Sequence, residues 1–233
     1  MFFFDNTFIL LIPALILTFY AQHKVNSAYK KYSAVRNSKG YTGADVAREL
    51  LKDSRISDVR VEPIAGNLTD HYDPKTKTLR LSEGVYNSQS LAAVGIAAHE
   101  TGHAIQHNVG YGPLALRSGL VPMANIGSRL AFPLVIIGIF LASGSGSFGL
   151  MLINVGILLY TIAVVFTLIT LPVEFNASGR AVELLSEYRF LAPEELEPAK
   201  KVLSAAALTY VAAALTAILT LLRFILIANG RRR

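Results

Sequence analysis

The chain has 233 residues and not one cysteine. Without thiols it cannot be a disulfide scaffold, a Cys-ligated zinc module, an iron–sulfur protein or a thiol-nucleophile enzyme. Charge is scarce as well: 16% of residues are Asp, Glu, Lys or Arg, against about 25% in a typical soluble domain. Hydrophobic residues make up 52% and the mean hydropathy is +0.44, which excludes a disordered chain and does not suit a water-soluble globule. Long apolar runs must therefore meet lipid. The 22 Lys and Arg outnumber the 16 Asp and Glu for a net charge of +6. In a membrane chain that excess belongs in loops beside anionic headgroups, and no aromatic-interleaved basic stripe points to nucleic acid as a partner.

A bilayer core of about 30 Å is crossed by about 20 mostly apolar residues in a helix, and four stretches reach that length. The first, Phe2 to Tyr20, lacks the basic start and small-residue cleavage site of a secretory leader and reads as an uncleaved anchor. The second, Leu120 to Leu141, is interrupted by Pro122, Asn125 and Arg129. Its clean part, Leu130 to Leu141, is short, so a kink or partial packing against protein is expected. The third, Phe148 to Leu171, carries no charge, and the fourth, Leu203 to Ala228, holds Arg223 close enough to its end to snorkel. Ser143-Gly144-Ser145-Gly146-Ser147 is too short a link to hold a domain, so the second and third segments form an antiparallel hairpin. The residues just before the second and just after the third then emerge on one face of the membrane.

Soluble material falls at about Gln22 to Gly119 and Pro172 to Lys201. Thr42-Gly43-Ala44-Asp45 forms a capping-box pattern ahead of a short helix with Val46, Leu50 and Leu51 on one face. Val59 to Val61, Leu68 to Tyr72 and Thr78 to Ser82 alternate like strands, with Asp73-Pro74-Lys75-Thr76 as a turn, which predicts a small sheet. Ser88 to His107 reads as an alanine-rich helix with a serine N-cap near its start. The predicted fold class is a mainly α membrane protein, with four transmembrane helices and a small α+β domain.

That last helix carries His99-Glu100-Thr101-Gly102-His103. Two histidines four apart on a helix differ by about 40° in azimuth and one turn in height, so both imidazoles reach one ion. Glu100, about 100° from His99, addresses a water activated by that ion without being a ligand itself. This is the geometry of hydrolytic zinc: the metal acidifies water and polarises a scissile carbonyl, while the carboxylate carries the proton to the leaving amine. Chance gives such a motif in a chain of this composition about 0.5% of the time. Its neighbours Ala97, Ala98, Gly102, Ala104 and Ile105 are small or apolar, so the helix is expected to be buried, where an uncompensated glutamate costs several kcal/mol.

Catalytic zinc takes three protein ligands and keeps one open position. His107 lies about 12 Å beyond His99 on the same helix, too far to share the ion. A metzincin site is excluded too, since Val109 and Gln106 stand where that signature needs histidine and glycine. The hairpin supplies the alternative: Glu174 is the first carboxylate after the third segment, on the face where the histidine helix ends. Glu174 is the expected third ligand, with Glu183 in reserve, and Pro172 is placed to start a new helix or extend the third segment across a kink.

The motif, with Glu174-Phe175-Asn176-Ala177-Ser178, four apolar segments and the run from His71 to Ser82, resembles the bacterial YugP-type membrane zinc metallopeptidases over most of the chain. It resembles the HtpX-like membrane proteases more distantly. The resemblance implies Zn2+ on His99, His103 and Glu174, Glu100 as general base, a zincin-like soluble part of the gluzincin type, and a multi-pass protein of the bacterial plasma membrane. HtpX-like proteins usually place an aspartate four residues after the third ligand. Here that position is Ser178, leaving Asn176 or Ser178 to orient a ligand histidine.

The sequence thus reads as a membrane-anchored zinc endopeptidase acting on protein or peptide substrates, with a catalytically inactive, metal-stabilised membrane scaffold as the alternative. Candidate donors to a developing oxyanion are His71, Tyr72, Tyr188 and Arg180, and Thr78 to Ser82 is a candidate edge strand for an extended substrate. The expected division is an anchor helix at 1–21, a zincin-like part at 22–119, a hairpin at 120–171, a ligand-bearing helix at 172–202 and a final span with basic tail at 203–233. Lys24, Lys30, Lys31, Arg36, Lys39, Arg117, Arg180, Lys200 and Lys201 outweigh Arg231-Arg232-Arg233, which puts the catalytic side in the cytoplasm.

Overall fold

A computed structural model of the chain describes residues 6–142 and 147–230; expectations touching residues 1–5, 143–146 and the Arg231-Arg232-Arg233 tail lie outside them. Among the described residues the protein is mostly helical, with one three-stranded mixed sheet. It divides into two compact units, one of Met1–Tyr20, Leu116–Leu171 and Tyr210–Arg233, the other of Ala21–Ala115 and Pro172–Thr209.

Four helical stretches are long and apolar enough to cross a membrane: Thr7–Ser33, Gly112–Ala142, Ser147–Glu187 and Pro193–Gly230. In the first unit a 3-10 turn, Asn6–Leu11, leads into α1 (Ile12–Ser33), and the other members are parts of α5 (Gly112–Ala142), α6 (Ser147–Glu187) and α7 (Pro193–Gly230). Gly127 lies against the backbone of Leu159 and Gly138 against that of Gly149, so α5 and α6 run antiparallel. Val135, Ile139, Ile153, Phe224 and Ala228 form the core between three helices. Large apolar side chains also face outward, Ile16 at 64%, Phe140 at 67% and Leu158 at 64% exposure, as lipid-facing residues do and water-facing ones rarely do. The Arg223 side chain donates from Nε to Thr7 Oγ1 at 3.2 Å and lies 5.6 Å from the Phe8 ring centroid, so its charge is met inside the unit.

The helices overrun the apolar segments that seed them. The first continues past Tyr20 to Ser33, the fourth belongs to a helix that begins at Pro193, and α5 starts at Gly112 and keeps Pro122 and Pro133 inside it. Of the two roles open to Pro172, the extension holds: α6 runs through it without a break to Glu187. A proline removes one i to i−4 bond, which the flanking turns of a 41-residue helix tolerate.

The second unit begins where local chemistry dictates. Thr42 accepts from Asp45 N–H and the Asp45 carboxylate accepts from the Thr42 N–H, a complete capping box that opens α2 (Gly43–Asp53). Val46, Leu50 and Leu51 are buried from that helix. Three strands follow, β1 (Arg60–Ile64), β2 (His71–Asp73) and β3 (Thr78–Ser82). Asp73 closes the β2–β3 turn by accepting from Lys75 N–H and Thr76 Oγ1. The expected strand at Leu68 shortens to His71–Asp73, because Gly66 and Leu68 take positive φ and turn the chain.

The sheet order is β1-β3-β2, with β1 parallel and β2 antiparallel to β3. The expectation that Thr78 to Ser82 is an edge strand is therefore wrong: β3 is hydrogen-bonded on both sides and Leu79 and Leu81 are fully buried. The edges are β1, where Pro63 can sit because it owes no ladder bond on the open side, and β2. A short helix the sequence did not signal, α3 (Glu83–Tyr86), leads to Ser90, which accepts from Ala93 N–H and caps α4 (Leu91–Asn108). Helix α4 lies between the sheet and the helical layer: Ala93 and Ala97 pack with Leu79, Leu81 and Val85, whereas Val94 and Ala98 pack with Ala181, Leu185, Ala199 and Val202.

The capping box has a measurable value. Thr42→Ala should lower stability by about 1 kcal/mol at neutral pH, read from the thermal midpoint. The hydrogen bond from Thr42, against a smaller effect of burial, holds the Asp45 carboxyl below its usual range. A depressed pKa gives stability above the unfolded-state value and loses it as pH falls through the folded one. The gap between wild type and Thr42→Ala should therefore narrow in acid.

Candidate metal centre

Helices α4 and α6 meet at a glycine. A Cβ on Gly102 would lie 2.8 Å from the carbonyl oxygen of Ala177, so only a residue without one lets the two backbones come this close. Partners on α6 fall in number as α4 rises, from His99 with Ser178 to Gln106 with Val173, so the helices cross antiparallel. This contact delivers the donors. Among the described residues His99, His103 and Glu174 form a group able to hold a metal ion, with their ligand atoms all within 4.8 Å of one another. Glu174 Oε2 lies 3.3 Å from His99 Nε2 and 3.6 Å from His103 Nε2.

Those separations test the fit. Ligand atoms held at about 2.1 Å from a tetrahedral ion stand about 3.4 Å apart; the two carboxylate–imidazole edges bracket that value, and the edge between the two imidazoles is no longer than 4.8 Å. The donors, two imidazole nitrogens and one carboxylate oxygen, are the set that suits a zinc-like divalent cation with one position open. The rings stand nearly perpendicular, at 83° with centroids 4.8 Å apart, and both present Nε2 to the same carboxylate. Their Nδ1 atoms are engaged elsewhere, His99 with Ser178 Oγ at 3.0 Å and His103 with Gln106 Oε1 at 3.0 Å.

The surroundings are dry. Glu174 is 2% exposed, His103 8% and Glu100 9%. Burial works against the charged form of His103, but the hydrogen bond to Glu174, aided by the charges of Glu100 and Glu174, overcomes it and raises the pKa of the ring. The pocket is thus an electronegative one that favours a cation, whether a proton on the imidazole or a metal ion.

The other residues singled out in the sequence are distributed as follows. Glu100 is buried beside the group, and its charge acts on His103. His107 stays outside, bound through Nδ1 to the Tyr72 hydroxyl at 2.8 Å, and Glu183 is exposed on α6. Burial, with the charges of Asp58 and Asp73, pushes the Tyr72 phenol up to about 12, so it remains protonated at neutral pH. His71 Nδ1 contacts Thr69 O, Arg180 Nε donates to Asn176 Oδ1, and Tyr188 is exposed just beyond α6. None of the four candidate oxyanion donors is in the His99, His103, Glu174 group. Of the two candidates for orienting a histidine, Ser178 reaches His99 directly, whereas Asn176 reaches Gln106. The contacts of Gln106 were not foreseen, since the sequence marked it only as the wrong residue for a metzincin; the one signal was a polar residue three positions after His103 on a helix predicted to be buried.

A membrane protein with a His, His, Glu group on two apposed helices, His103 and Glu174 buried and His99 partly so, falls in the class of membrane metal-site proteins, and comparison with known proteins narrows it. The chain belongs to the family described as putative neutral zinc metallopeptidase, whose model matches residues 7–229. It is 50% identical over 223 residues to the "Putative membrane protease YugP" of Bacillus subtilis (strain 168), covering 95% of this chain and 96% of that one. No solved structure matches it.

If the close approach at Gly102 sets the donor geometry, Gly102→Ala should cost about 1–3 kcal/mol of stability. It should also weaken Zn2+ binding measured by chelator competition. An unchanged affinity would show that the helices can separate without disturbing the donors.

Proposed function

We propose that the protein is a zinc-dependent endopeptidase of the gluzincin type, anchored in the membrane and cleaving membrane proteins or their exposed segments. The observation that carries this reading is the convergence of His99 and His103 with Glu174, from a separate helix further along the chain, with their ligand atoms within 4.8 Å of one another and both imidazoles within 3.6 Å of the carboxylate. Membership of a zinc metallopeptidase family and the 50% identity to a membrane protease support it. His99, His103 and Glu174 would hold the ion, and the soluble α+β unit would be zincin-like.

A bound zinc ion supplies Lewis-acid polarisation of the scissile carbonyl and makes water acidic enough to attack near neutral pH. Glu100 accepts the proton of the attacking water at its carboxylate and returns it to the leaving amine. It follows His99 directly on α4, about 100° around the helix, where it is buried and close enough for its charge to act on His103. Ser178 holds the His99 ring from behind, and the apolar wall of α4 limits bulk water, which strengthens each charge interaction inside. The lysines and arginines after the first span and beside the others favour a cytoplasmic catalytic side.

A metal-stabilised scaffold is the competing reading. Structural zinc normally closes with four protein ligands, and the group found here has three. In the full-length protein in detergent, Glu100→Gln should keep its zinc yet lose about 10²- to 10⁴-fold in cleavage of an unfolded model substrate. Retained hydrolysis would remove Glu100 as the base, and unchanged function in cells would favour the scaffold. Glu174→Ala should weaken zinc retention by about 10-fold or more; full retention would remove Glu174 from the ligand set.

A further inference from the structure

We propose that Gln106 is a positioning residue for the metal centre, the last member of a directional hydrogen-bond relay running from Arg180 through Asn176 and Gln106 to His103. The relay would fix the proton of His103 on Nδ1 and leave the Nε2 lone pair facing the cation. This inference rests on the metal-site reading above.

The direction follows from groups whose chemistry is unambiguous. Arg180 Nε–H can only donate, and it lies 2.9 Å from Asn176 Oδ1, which makes that atom an acceptor. The Gln106 amide is fully buried, and one end of it lies 2.8 Å from the backbone carbonyl of Val173 and 2.9 Å from Asn176 Oδ1. A backbone carbonyl can only accept, so that end of the amide must be its NH2. The other end is therefore the oxygen, 3.0 Å from His103 Nδ1. An oxygen there requires Nδ1 to be the donor, and a neutral imidazole that carries its hydrogen on Nδ1 has its lone pair on Nε2.

The reverse arrangement fails at each step. A flipped Gln106 would set its oxygen against two acceptors and its NH2 against Nδ1. It would then select the tautomer with hydrogen on Nε2, in the space between the ring and Glu174 where a cation would sit. The two histidines differ in this respect. His99 Nδ1 meets the Ser178 hydroxyl, which can donate or accept and so dictates no tautomer. Gln106 also ties Asn176 and Val173, the residues on either side of Glu174 and Phe175, to the turn after His103. One side chain thus sets both the electronic form of one ligand and the spacing between the two ligand-bearing helices.

The experiment uses the full chain in detergent micelles, with Zn2+ affinity from competition with a chromophoric chelator and thermal midpoints recorded with and without Zn2+. Gln106→Met keeps the side chain's length but neither polar end; Asn176→Leu removes the acceptor that holds the amide; Asn176→Asp restores it. The relay predicts that Gln106→Met and Asn176→Leu each weaken Zn2+ binding by about 10- to 100-fold. The zinc-loaded midpoint should fall further than the metal-free one, which itself drops with the lost buried hydrogen bonds, and Asn176→Asp should recover most of the affinity that Asn176→Leu loses. A wild-type protein that binds Zn2+ while both disrupted variants bind within about 2-fold of it overturns the relay and leaves the metal site standing. An equal fall of the metal-free and zinc-loaded midpoints in Gln106→Met would reduce Gln106 to a packing role and also overturn it. Should Gln106→Met fail to fold, the Asn176 pair, which leaves α4 untouched, decides. A wild-type protein that binds no Zn2+ sinks the metal reading itself.

Discussion

The centre depends on how closely two helices can approach. At Gly102 the backbone of α4 comes within a side chain's breadth of Ala177 on α6, and the donors on either side reach across only because of that. A wider spacing would strand the carboxylate. Packing and chemistry are the same constraint here: the small residues let α4 lie between the sheet and the α6–α7 layer, and that position buries His103 and Glu174. The consequence is electrostatic. A carboxylate at 2% exposure is costly unless positive charge is at hand, and the two imidazoles, protonated or joined by a metal ion, are its nearest source. The site is built to need a cation.

Much of this was legible because it is local. The capping box at Thr42 and Asp45, the serine cap of α4, the Asp73 turn and the four apolar runs each depend on a few neighbouring residues, and each stands where the sequence indicates. The histidine spacing on α4 is a helical property and could be read the same way. Bringing Glu174 to the two histidines required only the inference that a short link makes two apolar segments fold back on each other.

What the sequence did not reveal is long-range. Strand order is decided by which partners are free, so the alternating pattern of Thr78 to Ser82 could not distinguish a central strand from an edge. The persistence of α6 through Pro172 reflects tertiary packing on both sides of one missing hydrogen bond, and propensity alone gives no measure of that. Gln106 shows the limit most clearly. A glutamine on an apolar helix face looks like a blemish until His103, Val173 and Asn176 surround it, and the last two lie 67 and 70 residues along the chain on another helix.

The antiparallel register of α4 and α6 bears on how such a chain can change over evolutionary time. Glu174, Ala177, Ala181 and Leu185 recur on one stripe of α6, and the last two share a core with Ala98. Adding or deleting a single residue between Glu174 and Ala177 would swing the acid by about 100° around the helix axis. The stripe behind it would stay seated. Length variation among descendants should therefore gather in surface connections such as residues 65–70, between β1 and β2, and this stretch of α6 should tolerate exchange of side chains but not of residue count.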